Sequence, residues 1–204
     1  AQLEATEAAD AFGSWMAAMT ACHLAARTDG KHVVALRPLY GGTDALLASG
    51  LVGLDVSWAR AEAVRRSLCP ATSLVLLETP QNPTLGLVDI AAVVEAAAGI
   101  PVLVDNTFAT PVLQNPAGHG ASLVVHSATK YLGGHSDVLL GAAVTRSEAL
   151  WERLKLWRDH TGAVASADAA ALLLRSLDTL ELRVARQTET ARALARRLAE
   201  HPRV

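Results

Sequence analysis

Cysteine is scarce in the 204-residue sequence: only Cys22 and Cys69 occur, far apart and in no metal-like spacing. That scarcity argues against a disulfide framework and for a reducing, cytoplasmic setting. Aromatic residues are only 4% of the chain, so alanine, leucine and valine must build the core of a composition that is 51% hydrophobic. An excess of either charge is also missing, since 18 basic residues face 20 acidic ones. Nothing in that balance would grip nucleic acid or an anionic membrane. No apolar run is long enough to span a bilayer, and the opening AQLEATEAAD lacks the basic start and apolar stretch of a signal peptide. Seven histidines occur without ligand spacing, so no metal site is expected. The sequence starts without Met, and its true N-terminus is expected to lie upstream.

What is present alternates between helix-like and strand-like segments. Ser14 to Thr28 reads as a helix with Ser14 as N-cap and Asp29-Gly30 closing it. HVVAL (32–36), TSLVLLE (72–78), PVLVD (101–105) and SLVVH (122–126) are short, apolar throughout and bounded by loop residues. Such runs are expected of strands covered on both faces. IAAVVEAAA (90–98) reads as a helix between two of them. The pattern predicts an α/β fold, a mostly parallel sheet flanked by helices. From about Ala167, Leu173, Leu177, Leu180 and Val184 form one stripe of a long helix, and Arg192, Arg196 and Arg197 load its end.

Ligands of open α/β sheets sit beyond the carboxyl ends of the strands. Tyr40, Glu78, Asn82, Asp105, Thr107, Ser127, Thr129 and Lys130 all fall at those ends. The familiar alternatives are absent: there is no G-x-G-x-x-G after a strand, no P-loop and no G-x-S-x-G. The missing glycine fingerprint weakens a nicotinamide-binding reading. The remaining groups meet the needs of a pyridoxal phosphate (PLP) site. The aldehyde needs a lysine, the ring nitrogen a carboxylate, and the phosphate needs hydroxyls and helix-end N–H groups. Lys130, in VVHSATKYLGGHSD, would hold the aldehyde as a Schiff base, and Asp105 would pair with the pyridinium nitrogen. Ser127 and Thr129 would reach the phosphate, assisted by the N–H groups from Ser14 to Met16, while Tyr40 would stack on the ring.

The segments SATKYLGGHSD, VDNTFATP, ETPQNPT, YGGT and FGSWMAA, together with RSLDTLELR near the end, resemble the PLP-dependent Cys/Met-metabolism (trans-sulfuration) family. That family contains cystathionine γ-lyase, cystathionine γ-synthase and methionine γ-lyase. The resemblance runs from Phe12 to Arg183 and implies the large PLP-binding domain of the fold type I, aminotransferase-like enzymes. It implies that Lys130 also shuttles protons between substrate carbons and that Tyr40 can accept a proton from the incoming amine. It places Asn82 near the ring hydroxyl and the backbone N–H groups of Trp15 and Met16 at the phosphate; Thr107 is grouped with the cofactor-binding residues. A homotetramer is implied, a dimer of dimers whose active sites are shared between subunits, acting on a small amino acid.

Three departures stand out. Gly13-Ser14-Trp15-Met16 replaces the usual S-S-G-M, so an indole must find room beside the phosphate position. The family's N-terminal arm and its C-terminal domain are both expected to be missing. The resemblance therefore divides the chain into residues 1–165, the PLP-binding domain, and 166–204, a long helix leading to an absent domain. The expected chemistry is γ-elimination or γ-replacement on a sulfur-containing or activated homoserine substrate. It leans to the cystathionine enzymes, because Gly42 stands where methionine γ-lyases often carry cysteine. The rival reading is a catalytically incompetent PLP-binding or assembly subunit. His135 and Asp137 are read as structural, Trp151 and Trp157 as core or interface, and both cysteines as buried small apolar residues. Glu78 is given no role.

Overall fold

The computed structural model describes residues 2–27 and 30–204. In chain order the elements are β1 (Ala8–Phe12), α1 (Trp15–Ala26), β2 (His32–Leu36), α2 (Gly41–Ala48), β3 (Asp55–Ala59), α3 (Val64–Ser67), β4 (Thr72–Glu78) and α4 (Ile90–Ala96). They continue with β5 (Val102–Asp105), α5 (Thr110–Leu113), β6 (Leu123–Ser127), β7 (Gly141–Thr145), α6 (Glu148–Thr161), α7 (Ala167–Leu177) and α8 (Leu180–Ala199). The seven strands form one sheet in the order β1-β7-β6-β5-β4-β2-β3. The five from β6 to β3 are parallel, and β7 and β1 extend the sheet antiparallel. The expected mostly parallel α/β fold is the observed one.

The strands β2, β4, β5 and β6 are buried along their whole length. Because side chains alternate along a strand, each run feeds two cores. Val33, Ala35, Leu74, Leu76, Leu103, Leu123 and Val125 pack on the face covered by α1. Val34, Leu36, Val75, Leu77, Val102, Val104 and Val124 pack on the face covered by α4. Fully burying each of the leucines contributes about 1.5–3 kcal/mol, so the continuous apolar runs fix the sheet as the rigid base of the molecule.

Two strands of the sheet, β1 and β7, carry little sequence signal. AADAF and GAAVT are built largely from alanine and glycine, with β-branched residues only at Val144 and Thr145, and they are strands because β7 pairs with β6 and β1 with β7. Ser14 caps α1 as expected, its hydroxyl accepting from the Ala17 N–H at 3.1 Å. α1 ends at Ala26 with Arg27 as its C-cap, and of the expected closing pair Asp29-Gly30, Asp29 lies outside the described residues, as does Thr28. The expected single helix from Ala167 is two helices, broken at Asp178 and Thr179. The Ser176 carbonyl accepts from the Thr179 N–H, the Thr179 hydroxyl and Arg183 Nη2, so side chains capture the backbone where the helix would have continued. The apolar stripe survives the break: Leu173 and Leu177 pack on Leu132, Val138 and Leu140, while Leu180 and Val184 are buried.

Candidate active site

The strand order reverses between β2 and β4: from β2 the chain goes outward to β3, then returns to β4 and on to β5 and β6. Loops leaving adjacent strands on either side of such a point diverge and open a crevice at the carboxyl edge. A cavity of about 740 Å³ lies there. Lys130, Tyr40, Asp105, Ser127, Thr129, Asn82, Trp15, Met16 and Thr107 all line it, so every residue expected at the site is brought to one place.

Asp105 ends β5 and is buried at 4% exposure. Its Oδ1 accepts from the Thr107 N–H at 3.0 Å and from the Thr107 hydroxyl at 2.5 Å. That hydroxyl in turn accepts from the Ser127 N–H at 2.8 Å, tying the ends of β5 and β6 together. Burial pushes the Asp105 carboxyl up from 3.8 to about 6, against the pull of Thr107 and of nearby His126. Here is a carboxylate held rigidly in a poorly solvated place, with no ion pair to it among the described residues.

Lys130 follows β6 on an exposed turn. Its N–H bonds to the Ser127 carbonyl at 3.0 Å, and its carbonyl receives the Gly134 N–H at 2.7 Å. The Thr129 hydroxyl accepts from the Leu140 N–H at 3.0 Å and donates to the Leu140 carbonyl at 3.2 Å. Arg183, on α8, donates from Nη1 to the Tyr131 carbonyl at 2.6 Å and from Nη2 to the Leu132 carbonyl at 3.3 Å. The lysine turn is therefore held at both ends and from behind.

The N–H groups of Trp15 and Met16 open α1 and, as in any first turn, have no intrahelical acceptor. The Trp15 indole finds its room inward, at 7% exposure within the α1 core, and meets the Tyr40 ring edge-on with centroids 5.0 Å apart. Tyr40 itself precedes α2 and remains 44% exposed. A Cβ at Gly42 would stand 2.5 Å from Tyr40 Cε1 and 3.0 Å from Met16 Sδ, so the tyrosine ring occupies the space a side chain at 42 would need.

Several cavity residues carried no sequence assignment. Phe108 and Tyr131 lie inside recognised segments beside expected residues, whereas Gln187 comes from α8 with no local signal. Glu78, left without a role, also lines the cavity. His135 does not; its Nδ1 is bonded to the Gly133 carbonyl at 2.6 Å, in keeping with a structural part. Trp157 packs on the α1 core. Cys22 is buried as expected, but Cys69 is exposed, because it stands in the turn before β4, where Thr72 Oγ1 accepts from its N–H at 2.8 Å. No group of residues suited to hold a metal ion occurs among the described residues. Among them, no helix is long and apolar enough to cross a membrane.

A family model described as Cys/Met metabolism PLP-dependent enzyme matches residues 1–204. An L-methionine γ-lyase of Brevibacterium sandarakinum is 52% identical over 206 residues, which are 100% of this chain and 52% of that protein. A cystathionine γ-synthase of Mycobacterium tuberculosis (strain ATCC 25618 / H37Rv) is 44% identical over 203 residues, 96% of this chain and 52% of that protein. The crystal structure of a cystathionine γ-lyase from Lactobacillus plantarum complexed with L-serine superimposes with a TM-score of 0.94 at 35% identity, over 98% of this chain and 54% of that one. The chain thus spans about half the length of the relatives it matches.

Proposed function

From the premise that the chain belongs to the Cys/Met metabolism PLP-dependent enzyme family, we propose that the whole protein is an enzyme of γ-elimination or γ-replacement. Its substrates would be sulfur-containing or activated homoserine amino acids, as for the cystathionine γ-lyases and γ-synthases. The observation that supports this most is the convergence of Lys130, buried Asp105 and the free N–H groups of α1 on one cavity.

The residues fit the cofactor. Asp105 is a buried carboxylate with no ion pair among the described residues, and a protonated ring nitrogen would satisfy it. The Trp15 and Met16 N–H groups, with the Ser127 hydroxyl, suit a phosphate at the positive end of a helix. When bound, the cofactor supplies an aldehyde for Lys130 and a ring that stabilises negative charge on the carbons of a bound amino acid.

Asp105 would keep a ring nitrogen protonated, and Thr107 fixes the carboxylate that would do so. Lys130, on its braced turn, moves a proton from Cα of the substrate and returns one further along the chain. Tyr40 lends its ring as a wall and its hydroxyl as acceptor of the incoming amine's proton. Asn82, on the loop leaving β4, would stand near the ring hydroxyl, and Thr129 would reach the phosphate from the loop its hydroxyl fixes to Leu140. Residues 1–165 would form the cofactor-binding domain and 166–204 the helical link to the rest of the protein. A cytoplasmic homotetramer with shared sites is proposed from the family.

A second reading, methionine γ-lyase activity, is favoured by the 52% identity to the Brevibacterium enzyme. Gly42 is the residue that weighs against it, and a Cβ there would stand 2.5 Å from Tyr40 Cε1. The test is an assay of the full-length protein on methionine, cystathionine and acylated homoserines with cysteine. Keto-acid release without thioether identifies a lyase, and the preferred donor identifies which; thioether formation identifies a synthase. A full-length protein that acquires no pyridoxyl group on Lys130 after borohydride, and turns over none of these, refutes the proposal.

A further inference from the structure

Glu78 is a buried acid that the chemistry above does not use. It is the last residue of β4, is 5% exposed, and stands in register beside Asp105 on β5. Two neighbouring carboxylates under the same cavity are an expensive arrangement. Burial, and then the charge of Asp105, push Glu78 up from 4.5 to about 7. A leucine at this place would extend the apolar run of β4 at no such cost, so packing does not explain the acid.

Its hydrogen bonds do. Oε2 accepts the Tyr40 N–H at 2.7 Å, and the backbone of Asn82 favours the ionised carboxylate. Tyr40 heads α2 without any side-chain cap of its own, so the carboxylate is what binds that turn to the sheet. Asn82 lies on the loop leaving β4 itself. One side chain thus bonds the loop before α2 and bears on the loop leaving β4, the two that flank the reversal of strand order, and each carries a residue lining the cavity. On the reading that this cavity takes PLP, we infer that Glu78 is the positioning residue that sets the Tyr40 wall and the Asn82 edge of the cofactor site.

Two mild substitutions in the full-length protein separate acceptor geometry from charge. Glu78→Gln keeps an oxygen at the same reach and loses the charge. Glu78→Asp keeps the charge but withdraws the oxygen by one methylene. Amide exchange at Tyr40 and Asn82, measured on cofactor-stripped protein, is expected to stay within about threefold in the glutamine variant. In the aspartate variant it should accelerate about 10- to 100-fold, the scale of a lost hydrogen bond to a charged acceptor. The β4 and β5 amides from Val75 to Val104 should keep their protection in both. Turnover should follow the same order, falling in the aspartate variant and recovering in the glutamine one. Unchanged exchange at Tyr40 in Glu78→Asp, or an aspartate variant that matches wild type while the glutamine variant fails, overturns the assignment. So does acceleration spread evenly over β4 and β5, which would mark a merely structural acid. If the wild-type protein takes up no borohydride-stable pyridoxyl group on Lys130, the cofactor reading fails and this assignment with it. If it does and Tyr40 exchange ignores Glu78→Asp, the assignment fails alone.

Discussion

Asp105→Asn should make the cofactor-stripped protein more stable while disabling it. Burial raises the Asp105 carboxyl from its ordinary value of 3.8 to about 6. The folded state therefore binds this proton more tightly than the unfolded chain does. Stability is greatest below 3.8, declines as pH climbs through the window from 3.8 to about 6, and stays reduced above it. At about 1.4 kcal/mol for each tenfold step in the ionisation constant, the ionised carboxylate withholds about 3 kcal/mol at pH 8. Asparagine removes the charge but keeps an Oδ1 acceptor for both Thr107 contacts, which fall on that single oxygen. Relief of Glu78, whose ionisation Asp105 opposes, acts in the same direction. For a chain of this size 3 kcal/mol is roughly 6–12 °C in Tm. The assay is thermal melting of stripped wild-type and Asp105→Asn protein at pH 8 and pH 5. A gain at pH 8 that falls to about half at pH 5 is expected, and saturating cofactor should reverse the ranking by stabilising wild type more. A variant that melts at or below wild type at pH 8, or a gain that ignores pH, refutes the electrostatic account of the site.

Lys130→Ala should abolish turnover and the borohydride-stable pyridoxyl group yet shift stability by less than about 0.5 kcal/mol, since the side chain is exposed; urea unfolding and mass spectrometry check both halves. Gly141→Ala places a Cβ 2.4 Å from the Ser14 carbonyl oxygen and 2.8 Å from Trp15 Cα, both backbone atoms. It should cost about 1–3 kcal/mol and weaken PLP binding by moving the start of α1, read by melting and by cofactor titration. Arg183→Ala frees the Tyr131 and Leu132 carbonyls behind the lysine turn. A loss of about 2 kcal/mol is expected, with faster amide exchange confined to residues 130–134 and the α7–α8 break.

The buried strands β2, β4, β5 and β6 were legible in the sequence because a strand covered on both faces writes itself as a local apolar run. The lysine, the aspartate and their neighbours were legible for a related reason: they follow those runs at the edge where such sheets bind ligands, within recognised segments. Cys69, β1, β7 and the α7–α8 break were not legible. A small-residue strand is made by the neighbour it pairs with, and a helix of good pattern is broken by which side chains reach its carbonyls.

Polar partnerships required the tertiary structure altogether. Tyr40 meets Glu78 from 38 residues away, and Arg183 meets Tyr131 from 52. His126 meets Glu4 across 122, in a buried pair at 2.7 Å. The sequence by itself determined which residues stand at the carboxyl edge of the sheet, since apolar periodicity is a property of adjacent positions. The tertiary structure alone decided which of them touch, because a hydrogen bond depends on where the strand order turns back, and no short window of residues contains that reversal.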